Sequence, residues 1–139
     1  MTAVGTRVVL SEDEGRRLFQ EQLPLSGVVE REVVSIDGNL WSLLALDRAF
    51  QYQVQDAQTK AFHGFEVKRL LIRSRWAGYS VGGSVPTSVF VLIAADESLF
   101  EEGKIDQKKF YFDSWAMCEN EKRAEPVRMR RRRQAVQRS

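Results

Sequence analysis

The sequence predicts an α+β fold dominated by one antiparallel sheet, a meander curled toward a small barrel. An N-terminal helix and a short helix before the last strand complete it. Three observations carry this reading. From Gly27 onward the apolar residues recur mostly at period two, the repeat of a half-buried strand. Val89 to Ala95 is apolar on both faces, as a strand covered on both sides must be. No long helices alternate with the strands, so a doubly wound sheet is excluded and sequential antiparallel pairing is expected.

The elements follow in chain order. Val4, Val8, Val9 and Leu10 give residues 1–10 the content of an edge strand. Ser11 and Glu14 then fit the S-x-x-E capping box, with Glu12 and Asp13 suited to a positive helix end, so a helix is predicted from Ser11 to about Gln22. Pro24 and Gly27 stop it. Val28 to Ile36 reads as a strand, and Asp37-Gly38-Asn39 supplies hairpin chemistry. Leu40 to Val54 is long for one strand, since most span about 3–10 residues. Its alternating glutamines favour a strand with a break near Asp47-Arg48. A helix is the competing reading, because Leu43, Leu46, Phe50 and Val54 also lie at helical spacing.

The chain is organised around Glu66 to Ala95. On the first strand of this stretch Val67, Arg69, Leu71, Arg73 and Arg75 share one face, while Leu70 and Ile72 lie on the other. A glycine-rich connection follows, then the apolar strand. Asp96 to Gly103 predicts a short helix with Ser98 and Glu101 as a second capping box, and Phe110 to Glu119 returns to strand. Of Trp41, Trp76 and Trp115, at least two are expected in the core.

Residues 1–119 therefore form one β-rich domain. They hold 13 basic and 17 acidic residues, a net charge of −4, whereas residues 120–139 hold 8 basic and 2 acidic residues, a net charge of +6. The tail has too few apolar residues to offset the entropy of ordering, so it reads as a disordered basic arm. No apolar run approaches the ~20 residues of a membrane span, and the N-terminus lacks a signal peptide's apolar segment, so no transmembrane segment and a cytoplasmic setting are expected. One cysteine, Cys118, and one histidine, His63, cannot supply a zinc site or an internal disulfide. Neither a metal, a cofactor nor a catalytic group is assigned, and the reading leans away from an enzyme.

Two groups of residues point to an anionic partner. Arg128, Arg130, Arg131, Arg132 and Arg133 make the tail a counterion-releasing arm. About six such contacts with phosphates would give a log–log salt slope of roughly −5. Arg69, Arg73 and Arg75, with Trp76 and Tyr79 nearby, could line a basic sheet face that meets phosphates and stacks bases. The plainer reading pairs those arginines with Glu30, Glu32 or Asp113 on neighbouring strands. The segment Gly78 to Gly83 has the glycine spacing of a phosphate loop. It lacks the following Lys-Ser/Thr and a helix, so it reads as a connection needing positive φ. The expected function is a non-catalytic binding or accessory module for nucleic acid or an acidic protein surface. A structural subunit of a larger assembly and a small enzyme with a barrel pocket are the alternatives.

Overall fold

The computed structural model describes residues 4–13, 21–76 and 78–121. Six strands form a closed antiparallel barrel: β1 (Arg7–Ser11), β2 (Leu25–Val34), β3 (Leu40–Gln55), β4 (Phe62–Ser74), β5 (Thr87–Ile93) and β6 (Tyr111–Asn120). Each pairs with its neighbours in sequence, and β1 pairs with β6, so the expected meander is carried through to closure. β1 is accordingly no edge strand. Val8, Val9, Leu10 and Ser11 face Asn120, Glu119, Cys118 and Met117, and the other side of β1 is laddered to β2.

Closure also takes the start of the predicted N-terminal helix into a strand, and that helix is not borne out among the described residues. Ser11, the expected cap, is the last residue of β1 and is paired with Met117. A long-range ladder has prevailed over a local capping signal. Residues 14–20, which hold most of that prediction, lie outside the described residues, and no helix of seven residues or more occurs among the described ones. The short helix before the last strand is two 3₁₀ turns, Glu97–Glu101 and Gln107–Lys109. The first is capped by Asp96 rather than by Ser98: the Asp96 carboxylate accepts from the Ser98 N–H, which holds its pKa below the usual carboxylate range.

The hairpin turns follow from their side chains. At β2–β3, Gly38 takes φ +86° and the Asp37 carboxylate accepts from the Ser35 hydroxyl and the Asn39 N–H, so Asp37 stays ionised to unusually low pH. At β3–β4, Asp56 accepts from the N–H groups of Thr59 and Gln58, both at 2.8 Å, which likewise depresses its pKa. Leu40–Gln55 is strand throughout, which excludes the competing helix. Its pairing with β4 shifts between Ala45 and Phe50, around the expected break at Asp47-Arg48. The same shift corrects one predicted face: Val67 joins Leu70 and Ile72 inside the barrel instead of sharing a face with Arg69.

Two cores result. The bore is filled from all six strands, by Leu10, Val29, Leu44, Phe50, Tyr52, Leu70, Ile72, Val89, Val91, Ile93, Ala116 and Cys118 among others. Val81, from the β4–β5 connection, joins this cluster at one end. The second core lies outside the wall. The β5–β6 connection folds back over β2–β5 as a strap and lays Phe100, Ile105 and Phe110 on Val33, Trp41, Leu43, Leu71 and Leu92. It is fastened by main-chain bonds, Ile105 N–H to Val34 O (2.8 Å) and Ile36 N–H to Ile105 O (2.9 Å), and by the Arg31 guanidinium donating to Phe100 O at 2.7 Å. Only Trp41 of the three tryptophans is fully buried. Trp115 is half-buried and Trp76 is 55% exposed, so the expectation of two core tryptophans fails. All three belong to the outer side, because the narrow bore is taken by aliphatic residues with Phe50 and Tyr52.

Two outcomes are expected. A Cβ on Gly27 would sit 2.5 Å from the Ala45 carbonyl oxygen, so Gly27→Ala lowers unfolding free energy by about 1–3 kcal/mol in urea titrations. An unchanged midpoint would mean that the wall yields there freely. Burial pushes the Cys118 thiol up to about 12. Below the unfolded pKa of roughly 8.5 both states hold the proton; above it only the unfolded thiol ionises, so stability falls as pH rises toward 12. The wild-type midpoint should drop more steeply over that alkaline range than that of Cys118→Ala, and parallel curves would contradict the assignment.

Candidate functional site

The outer wall presents cross-strand rungs. Register places Arg73 opposite Phe90 and Phe90 opposite Trp115, while Leu71, Leu92 and Phe112 form the adjacent rung. Trp41 stands beside Arg73 because Ser42 pairs with Ile72. The rung therefore reads Trp41, Arg73, Phe90, Trp115 across four strands. The Arg73 guanidinium carbon lies 5.2 Å from the Trp41 ring and 5.5 Å from the Phe90 ring. Arg75 lies 4.1 Å from Trp115, 5.0 Å from Trp76 and 5.9 Å from Phe90. These are cation–π separations. Phe112 extends the ring cluster, 5.9 Å from Phe90 and 6.5 Å from Trp115, and is 52% exposed.

The three arginines of β4 and the residue after it therefore meet different fates. Arg69 is held by Glu30 (3.2 Å) and Glu97 (2.9 Å), with Glu101 at 3.7 Å and the Phe100 ring below it at 5.1 Å. It ties the strap to the wall, and its partners absorb its charge. Arg73 and Arg75 make no ion pair among the described residues. Arg75 does donate to the Ser88 hydroxyl at 3.3 Å, and that hydroxyl donates to Asp13 at 2.6 Å. Rings polarise a guanidinium without neutralising it, so this part of the wall keeps its positive charge.

The rim of the barrel adds to this wall. Asn120 ends β6, and its side chain donates to Gly82 O at 3.2 Å, so the end of β6 lies beside the connection that carries Tyr79. Gly78 and Gly82 take φ of +86° and +69°, as a turn-forming connection requires. A Cβ on Gly82 would lie 2.8 Å from both Thr6 and Val8 side chains, so glycine lets this loop press onto the rim. Arg7 bonds both Asp47 and Glu121 and so joins β1, β3 and the end of β6; these two carboxylates raise its already high pKa. The tail residues Arg128, Arg130, Arg131, Arg132 and Arg133 lie outside the described residues, as does the Asp113 side chain.

A cleft of about 140 Å³ opens at the same rim. Glu32, Ser42, Arg73, Ser74, Tyr79 and Ser80 contribute its polar groups, and Leu40, Trp41, Ile72 and Val81 its apolar ones. The Trp41 indole Nε1 is buried without a hydrogen-bond partner. His63 is exposed on β4 opposite Val54. Among the described residues no three His, Cys, Asp or Glu converge as a metal would require, and no helix is long and apolar enough to cross a membrane. Set against known proteins, the chain matches no family model, no curated protein and no solved structure.

Trp41, Phe90, Phe112 and Trp115 were not legible as a group. The available signal was a surplus of large rings at outward positions of β5 and β6, too bulky for a bore this narrow. The clamp on Arg69 leads to one expectation. Its carboxylates are partly exposed, so Arg69→Ala lowers unfolding free energy by only about 1 kcal/mol in urea titrations. A loss several times larger would mean that the strap depends on this one side chain.

Proposed function

We propose that the chain is a non-catalytic binding module that engages single-stranded nucleic acid through the Arg73–Arg75 wall and the basic tail beside it. One observation carries the reading. Arg73 and Arg75 are stacked among rings rather than paired with carboxylates, next to the exposed rings of Trp76 and Phe112. Guanidinium charge meets phosphate, and exposed rings offer a face to bases of any sequence, each stacked base contributing about 1–3 kcal/mol. The position of Asn120 supports it further, because the strand end that precedes the arginine-rich segment in sequence lies at the rim that borders the wall. The packed bore offers no comparable chemistry. A second reading, a subunit that docks another protein on this wall, is favoured only by the exposure of Phe112 and Trp76.

Anisotropy titration with a short oligothymidylate at two salt concentrations tests the proposal. The double change Arg73→Ala, Arg75→Ala should weaken binding at least roughly tenfold. It should also make the salt slope shallower by about 1.4, because each phosphate neutralised on a single strand contributes ~0.7. A chain ending at Asn120 should have a shallower slope still. Salt-insensitive binding, or none, would leave the protein-docking reading in its place.

A further inference from the structure

Arg73 and Arg75 are both set among rings, yet only the Arg75 guanidinium is also hydrogen-bonded. β4 ends at Ser74, and the residue after it is fastened twice to one partner on β5. The Arg75 main-chain N–H donates to Ser88 O at 2.9 Å, and its Nη1 donates to the Ser88 hydroxyl at 3.3 Å. That hydroxyl donates in turn to the Asp13 carboxylate at 2.6 Å. The Arg73 guanidinium has its two rings and no hydrogen bond among the described residues.

A hydroxyl carries one proton and two lone pairs, and a carboxylate only accepts. The single Ser88 proton goes to Asp13, so Oγ offers Arg75 lone pairs alone. Ser88 is 7% exposed, so water competes little for them. The hydroxyl also spaces the carboxylate from the cation. Arg75 makes no ion pair among the described residues, so it is directed without being neutralised. Rings and hydroxyl act differently on it. The field of a ring changes little as a guanidinium slides or turns over it, so rings hold the group on the wall and leave its N–H directions open. A hydrogen bond is directional, and the guanidinium donors form a rigid planar fork, so fixing Nη1 fixes the others. One of five N–H groups goes to Ser88, which leaves four without a protein partner among the described residues.

We propose that Ser88 is a positioning residue of this wall, an inference that rests on the nucleic-acid reading above. Its hydroxyl, oriented by Asp13, holds the Arg75 fork in the direction from which it meets a phosphate of the bound strand. The arginine is ordered before the strand arrives, so binding does not bear the entropy of ordering a long side chain. Ser88 itself is buried and acts only through Arg75.

Anisotropy titrations with oligothymidylate at two salt concentrations compare Ser88→Ala, Arg75→Ala and the double variant. Ser88→Ala should weaken binding roughly fivefold, the cost of immobilising one long side chain on binding. Its salt slope should stay that of the wild type, because the charge is still there to meet phosphate, whereas Arg75→Ala should lose about 0.7 of slope. In the Arg75→Ala background Ser88→Ala should cost nothing further. Ser88→Thr keeps the hydroxyl and should restore most of the affinity. Asp13→Ala, at a half-buried residue beyond the end of β1, should give a smaller loss that also vanishes without Arg75. It keeps the test open if Ser88→Ala folds poorly. Equal losses in the two backgrounds, or full affinity of Ser88→Ala, overturn the positioning role and leave the wall reading standing. Failure of the wild-type chain to bind, or of Arg75→Ala to weaken binding, overturns the wall reading and the positioning role with it.

Discussion

The structure depends on closing a sheet of only six strands. Few strands mean a narrow bore and steep coiling, so the backbone must approach itself closely and kink at set points. Gly27 lies where a side chain would strike the Ala45 carbonyl, and pairing slips between Val29 and Arg31, between Ala45 and Phe50, and between Phe90 and Leu92. Closure leaves no free sheet edge, and it fills the interior mostly with aliphatic side chains, with Phe50 and Tyr52 among them. Charged residues and the rings of Trp41, Phe90, Phe112 and Trp115 are thereby left to the outer wall and the rim, which is where the candidate site lies.

Arg69, Arg73 and Arg75 show how neighbours decide what one residue type does. All three come from β4 and its end. Arg69 points at the strap, where Glu30 and Glu97 converge, and becomes part of the architecture. Arg73 and Arg75 point at β5 and β6, whose outward residues there are Phe90 and Trp115. A carboxylate cancels the field of a guanidinium, whereas a ring positions it and leaves the field intact. The difference lies in the cross-strand partner, which cannot be read from β4 alone.

Local features were legible and distant ones were not. The Asp37-Gly38-Asn39 turn, the doubly apolar β5 and the break at Asp47-Arg48 are written in consecutive residues, and each is found. The capping signal at Ser11 is equally local, yet Met117 from the far end of the chain claims that residue for a ladder. The inward turn of Val67 depends on a slip in its partner strand. The role of Trp41 depends on a strap that arrives some fifty residues later, carrying Phe100 and Phe110. For the site, the arginines and the rings Trp76 and Tyr79 could be noticed singly. Their assembly with Phe90 and Trp115, and the placing of Glu32 at the rim, required the register.

The strap has a consequence for how firmness is distributed around the barrel. Where it lies, the wall has packed side chains on both surfaces: Leu70 and Ile72 face the bore while Leu71 faces the strap, and on β5 Val91 and Ile93 face the bore while Leu92 faces outward into the second core. Separating those strands means opening two cores at once. At the β1–β6 seam Val8, Leu10 and Cys118 face the bore, and Val9, which points outward between them, is buried as well. Local opening therefore costs most at the β4–β5 pair, where a packed core backs each surface. Arg73 follows Ile72 directly on β4, so its guanidinium is carried by the part of the wall that is hardest to open.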